Sequence, residues 1–202
     1  MAVIHIRKKE VQIKIVYVGP GRGGKTSNLE YIFNKIRHRI LSDMVSIKTH
    51  GDRTLFFDFL PFDLGQIQGY RIKTQLYTVP GQVKYNATRK LVLKGVDGVV
   101  FVADSMAVMR EKNILALHNL EENLASYNID LNSNFPIVMQ YNKRDLAVEG
   151  IPILDIQTLD HDLNSQLKAP AFEASAIKGE NVIPTIKKAI STTIISLKDQ
   201  LL

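Results

Sequence analysis

Val11 to Leu29, VQIKIVYVGPGRGGKTSNL, constrains this chain more than any other stretch. Val11, Ile13, Ile15, Val16 and Val18 leave little polar alternation, the pattern of a strand buried on both faces. Beyond the loop, Leu29, Ile32, Phe33 and Ile36 recur at helical spacing, which predicts an amphipathic helix from Thr26 to about Arg39. Between them lie four glycines, a proline and two basic residues, far more bare backbone than a quiet connection needs. A buried strand feeding a helix through such a loop is the first unit of an α/β fold.

The loop matches GxxxxGK[ST] from Gly19 to Thr26, and its strand and helix flanks turn that pattern into a phosphate-binding loop. Gly19, Pro20, Gly21, Arg22, Gly23 and Gly24 would let successive amides approach phosphate oxygens, while the helix start, Lys25 to Ser27, adds partial positive charge. Lys25 is predicted to reach the β- and γ-phosphates, and the Thr26 hydroxyl to ligate Mg²⁺.

At 202 residues, 45% hydrophobic and 23% charged, the chain can bury one core without staples, so residues 1–202 read as a single domain. Cysteine is absent, which removes disulfides and thiolate chemistry, and the five histidines show no metal-binding spacing. No apolar run reaches the roughly 18 residues needed to cross a bilayer, no secretory leader is evident, and neither Ala2 nor the KDQLL ending offers a lipidation site. The expected location is the cytoplasm, with any membrane contact indirect. The net charge of +6 is dispersed over short clusters such as Arg7-Lys8-Lys9, so nucleic acid is not an expected partner.

TLFFDFLPF and YRIKTQLYTV read as antiparallel neighbours, one of them at a sheet edge, with DLGQIQG as the hairpin connection. From Gly98 the pattern alternates: GVVFVADS as strand, Met106 to about Tyr127 as helix, FPIVMQYNK as strand, a weakly patterned segment, APAFEAS, and a last helix from about Val182 to Leu201. The expected architecture is a mainly parallel central sheet with one antiparallel edge strand and helices on both faces.

A phosphate loop by itself does not choose the base. Asn142-Lys143-Arg144-Asp145 follows a buried strand at the carboxyl edge of the sheet, where open α/β folds bind ligands. Asp145 can accept from the N1–H and exocyclic amine of guanine, a pairing that adenine cannot supply. Asn142 would tie the base loop to the phosphate loop, and the Lys143 stem can lie along the face of the base.

On GPGRGGKTSNL, GDRTLFFDFLP, LYTVPGQVKYNATRKLVLKGVDGVVFVADS and NKRD, the chain resembles the Ras-like small GTPases with a P-loop NTPase fold, and among them the MglA-like polarity and gliding-motility GTPases. The TVPGQ segment is the most distinctive, because ordinary small GTPases carry an aspartate where Thr78 stands. Thr78 offers only a neutral hydroxyl, so the outer shell of the metal must be arranged differently. Asp58 is a candidate for the missing carboxylate, against the general rule that strand carboxylates face solvent.

The resemblance implies GTP and GDP as ligands and Mg²⁺ as cofactor, with Thr26 and Thr54 on the metal. It implies Gly81 near the γ-phosphate, Gln82 orienting the attacking water, and Arg53 as an arginine finger in cis beside the catalytic Lys25 and Thr54. Ser175 and Ala176 resemble the SA of a guanine-contacting SAK loop, with Ile177 in place of the lysine. It further implies polar placement in the cell and a homodimeric roadblock-domain activator of the MglB type. Two other readings stay open: a P-loop ATPase, and a nucleotide-bound scaffold that barely hydrolyses, the latter because Thr78 is irregular and Pro80 stiffens its segment.

Overall fold

The computed structural model describes residues 3–5, 9–37, 45–49, 53–67, 69–81 and 85–198. In chain order the elements are β1 (Val3–His5), β2 (Glu10–Val18), α1 (Lys25–Lys35), β3 (Val45–Thr49), β4 (Arg53–Ile67), β5 (Tyr70–Thr78) and α2 (Asn86–Leu93). They continue as β6 (Gly98–Asp104), α3 (Arg110–Ala125), β7 (Ile137–Asn142), α4 (Ile156–Leu163), β8 (Ala171–Glu173) and α5 (Val182–Lys198).

The sheet runs β3-β4-β5-β2-β6-β7-β8, with β1 added antiparallel to the start of β2. Pairings from β5 through β2, β6 and β7 to β8 are all parallel, as the strand–helix alternation predicts. β4 and β5 pair antiparallel as expected, but neither is the edge: β3 lies outside β4 and pairs antiparallel with it.

Why the central strands read as unbroken apolar runs is plain from their alternation. Ile13, Ile15 and Tyr17 of β2, with Val100 and Val102 of β6, pack under Leu29 and Ile32 of α1 and Ile186 and Ile190 of α5. Their sequence neighbours Val16, Val18, Val99 and Phe101 point the other way, against Leu117, Leu120 and Leu124 of α3 and Leu159 and Leu163 of α4. Each face therefore has its own core. A side chain such as Leu120, 1% exposed, contributes about 1.5–3 kcal/mol by leaving water.

α1 buries Lys25, Asn28, Leu29 and Ile32, the i, i+3, i+4, i+7 set of one helical stripe. Two of those four are polar, and each has a reason to be inside. Asn28 exchanges two amide hydrogen bonds with Gln140 of β7, at 2.8 and 3.0 Å, and Gln140 also donates to the Thr185 hydroxyl of α5 at 3.2 Å. Lys25 belongs to the site at the carboxyl edge of the sheet, where the loops after β2, β6 and β7 meet. α4, within the weakly patterned segment, starts where the Asp155 carboxylate accepts the Thr158 amide at 2.6 Å.

Candidate nucleotide site

The loop after β2 is folded around the Lys25 side chain. Its Nζ donates to the carbonyls of Gly19 at 3.0 Å and Pro20 at 2.7 Å, and the Gly23 amide closes a turn onto Pro20 O at 3.2 Å. Gly24 caps α1 in the left-handed conformation, φ 98°, leaving the first-turn amides of Lys25, Thr26 and Ser27 outside the helical ladder. Gly81 lies directly on this loop: a methyl group there would stand 2.3 Å from the Gly21 nitrogen. Beyond the loop a cavity of about 520 Å³ continues between Gly81 and Arg89 on one side and Lys112 and Leu115 of α3 on the other.

Burial lowers the Lys25 pKa to about 7, the Arg89 cation adds to that shift, and the Asp58 and Asp104 carboxylates oppose it. A lysine with this shift binds fewer protons folded than unfolded between about pH 7 and its ordinary value of 10.5, so the ligand-free protein gains stability as pH rises through that window. A phosphate beside the amine favours its charged form. Nucleotide binding at about pH 8 is therefore expected to take up about one proton per site. Titration calorimetry in buffers of different ionisation enthalpy reads that number directly, and zero uptake would contradict a neutral lysine.

The segment after β7 joins this loop through one side chain. Asn142, 2% exposed, donates from Nδ2 to Gly23 O at 2.8 Å and accepts the Ala176 amide on Oδ1 at 2.8 Å. Phosphate loop, base segment and the Ser175-Ala176 loop are thus held by one amide. Lys143 takes the left-handed conformation, φ 68°, and its ammonium donates to Asp104 Oδ2 at 2.6 Å. Arg144 turns away, to Glu173 at 3.1 Å and to Leu154 O at 2.6 Å, leaving the half-buried Asp145 as the acidic group of the turn. Ser175 is fully buried, its Oγ accepting the Lys178 amide at 3.3 Å, while Ile177 is 81% exposed on the rim.

Asp58 is fully buried, and its Oδ2 accepts the Thr26 hydroxyl at 2.6 Å and the Thr78 hydroxyl at 2.9 Å. A strand carboxylate facing inward departs from the general rule, and the two hydroxyl donors are the physical reason. Three other contributors have no motif of their own. Asp104 ends the apolar β6, and Asn113 of α3 donates to its carbonyl at 2.8 Å. Arg89 of α2 donates to Pro80 O at 3.0 Å and to Asn119 of α3 at 2.8 Å, which fastens the segment before Gly81. The signal for Asp104 is a lone charge closing the otherwise apolar GVVFVAD.

The expected residues from Gly19 to Ser27, with Gly81, Asn142, Lys143, Asp145, Ser175 and Ala176, therefore surround one end of the sheet. Arg53 and Thr54 open β4, in register with Thr49 and Lys48 of β3, and their side chains lie outside the described residues. Gln82 also lies outside them.

Residues 14–195 match the model of the Ras family. The chain belongs to the Ras family. It is also similar to the mutual gliding-motility protein MglA of Myxococcus xanthus (strain DK1622), 46% identical over 198 residues that cover 98% of each chain. Ras-family membership makes it a small GTPase that binds and hydrolyses GTP as a switch, a family that uses GTP and GDP with Mg²⁺. Neither the ATPase reading nor the scaffold reading is favoured by these likenesses. Among the described residues, no helix is long and apolar enough to cross a membrane.

Proposed function

We propose that this Ras-family chain is a switch of the cell-polarity and gliding-motility kind, with Mg²⁺·GTP as the on-state ligand and an external activating protein as the off-signal. The observation that carries the nucleotide reading is the Asn142 bridge, which makes one rigid unit of the phosphate loop and the base-reading segment. The motility reading comes from the 46% likeness to MglA over nearly the whole chain.

In this reading Lys25 exchanges the carbonyls of Gly19 and Pro20 for β- and γ-phosphate oxygens. Asp145 pairs with the guanine edge, the Lys143 stem covers its face, and Ser175 and Ala176 close the far side. The donors around Thr26 are hard oxygens, a hydroxyl backed by a buried carboxylate, and they suit Mg²⁺. Thr26 and Thr54 would hold the ion there, and it would supply neutralisation of the charge developing on the phosphate oxygens. Gly81 presents its amide to the γ-phosphate, and Gln82 orients the attacking water.

Phosphoryl transfer of this type asks for position and charge more than covalent chemistry. Turnover of the isolated protein is expected at roughly 10⁻⁴ to 10⁻² s⁻¹, rising several orders of magnitude when a partner completes the site. That partner is a roadblock-domain homodimer, and it acts by aligning Arg53 and Gln82 without inserting an arginine of its own. Single-turnover phosphate release from GTP and from ATP, with and without the roadblock protein of the same organism, tests this reading. Release should be specific for GTP and accelerate with the partner, and Arg53→Ala should remove the acceleration while nucleotide affinity stays nearly unchanged. Stimulation that survives Arg53→Ala would eliminate the cis arginine.

A further inference from the structure

The ladder of β2 on β6 ends at Phe101, three residues before β6 itself ends at Asp104. The Ser105 amide goes to Asn142 O of β7 at 3.0 Å, so the N–H and C=O of Asp104 face the other way, toward the side that β2 has left. There the side-chain amide of Asn113, on α3, takes the place of a strand. Its Oδ1 accepts the Asp104 amide at 2.9 Å and its Nδ2 donates to the Asp104 carbonyl at 2.8 Å, with both residues fully buried. The carboxylate is held as well: Oδ1 accepts the Met106 amide at 3.1 Å, and Oδ2 is left to Lys143 Nζ at 2.6 Å. A buried carboxylate is costly unless donors and a cation meet it, and here both do.

Lys143 is fixed from its other end too. Asn142 before it is tied to Gly23 and Ala176, and the Arg144 amide after it donates to Ala174 O at 3.0 Å. Lys143 itself keeps φ 68°, a conformation that a residue with a side chain holds only where its surroundings over-determine it. The backbone is pinned, the ammonium is pinned, and the stem between them stays 22% exposed, within reach of a ligand.

From this geometry we infer that Asp104 is a positioning residue for the base: it anchors the Lys143 ammonium so that the stem lies ready along the guanine face, and Asn113 of α3 holds Asp104 in place. The inference rests on the guanine reading of the site and adds the groups that act through Lys143. Lysine loses more rotamer freedom than most side chains when it is ordered, a loss equivalent to about 10- to 30-fold in affinity. The carboxylate shifts that loss from nucleotide binding to folding, so the ligand meets a stem already in position.

The test is displacement of fluorescent GDP from the full chain. Asp104→Asn keeps the shape, removes the charge and is expected to weaken GDP binding about 10- to 30-fold. In a Lys143→Met background the same change should cost less than about twofold, because the ammonium it acts on is gone. A loss of equal size in both backgrounds would overturn the assignment; a purely structural role would give that result, and so would an effect through Lys25, whose charge Asp104 also favours. Acetylation of the nucleotide-free chain reads the anchor directly and needs only the Asp104→Asn variant, so it decides the matter if Lys143→Met does not fold around an unpaired carboxylate. Lys143 should be labelled severalfold faster in that variant than in the parent, with the exposed Lys112 unchanged as reference. Unchanged GDP affinity or unchanged Lys143 labelling in folded Asp104→Asn would remove Asp104 from this role. A parent protein that binds ADP as tightly as GDP would instead overturn the guanine reading beneath it.

Discussion

Gly19→Ala is expected to lower the unfolding free energy by about 3–5 kcal/mol and to weaken guanine-nucleotide binding at least about 100-fold. Gly19 has φ 144°, a conformation side-chain-bearing residues rarely adopt, at a cost of about 1–3 kcal/mol. A methyl group there would also stand 2.1 Å from the carbonyl oxygen of Val102, in the middle of β6. That neighbour is backbone paired with Gln140 of β7, so it cannot turn aside as a flexible side chain could. The start of the phosphate loop must move instead, and a displacement near 1 Å of a preorganised binding group costs on the order of 100-fold. Urea unfolding and displacement of a fluorescent guanine nucleotide read the two effects separately. A variant with parental stability and affinity would mean that the loop can leave β6 freely.

Asn142→Ala should be the most damaging change in the base segment. It leaves the Gly23 carbonyl and the Ala176 amide without their partner in a dry place, at about 1–3 kcal/mol each. The expected loss is about 2–5 kcal/mol, divided between stability and affinity for GDP and GTP alike. Aspartate is no remedy. It retains an acceptor for Ala176 but sets a carboxylate oxygen against the Gly23 carbonyl, so Asn142→Asp should be at least as weak. Equilibrium binding of both nucleotides together with thermal unfolding checks this, and an alanine variant within twofold in affinity would remove Asn142 from the centre of the site.

How much of this was legible beforehand depended on whether the chemistry is contiguous in the chain. The loop from Gly19 to Ser27 and the turn from Asn142 to Asp145 carry strand and helix flanks with them, so local pattern reached both the residues and their place in the fold. The parallel order followed from alternation, and the two-sided burial of β2 and β6 from unbroken apolar runs.

What stayed hidden was assembled by distance. β3 is five residues without a distinctive pattern, and it exists because β4 offers it a ladder. α2 is eight residues whose buried face sets Arg89 beside Val92 and Leu93, so a charge interrupts its short apolar stripe. Arg89, Asp104 and Asn113 became part of the site only once α2, β6 and α3 were packed together. Asp58 was visible as a candidate, but the rule that charges on strands face water spoke against it, and only the position of two hydroxyls reverses that rule here.

The paired amides of Asn28 and Gln140, with Thr185 attached, carry one more consequence. α1 begins at the phosphate grip, and α5 lies near the other end of the chain, yet a single run of hydrogen bonds passes from one to the other beneath the sheet. Local opening of α1 strands the Gln140 amide in a dry core, and that penalty is shared with α5. Fraying at either helix is therefore not private to it. The stretch that holds the nucleotide and the stretch that ends the chain should open and close as one cooperative unit, so that an empty site loosens a surface far from any ligand.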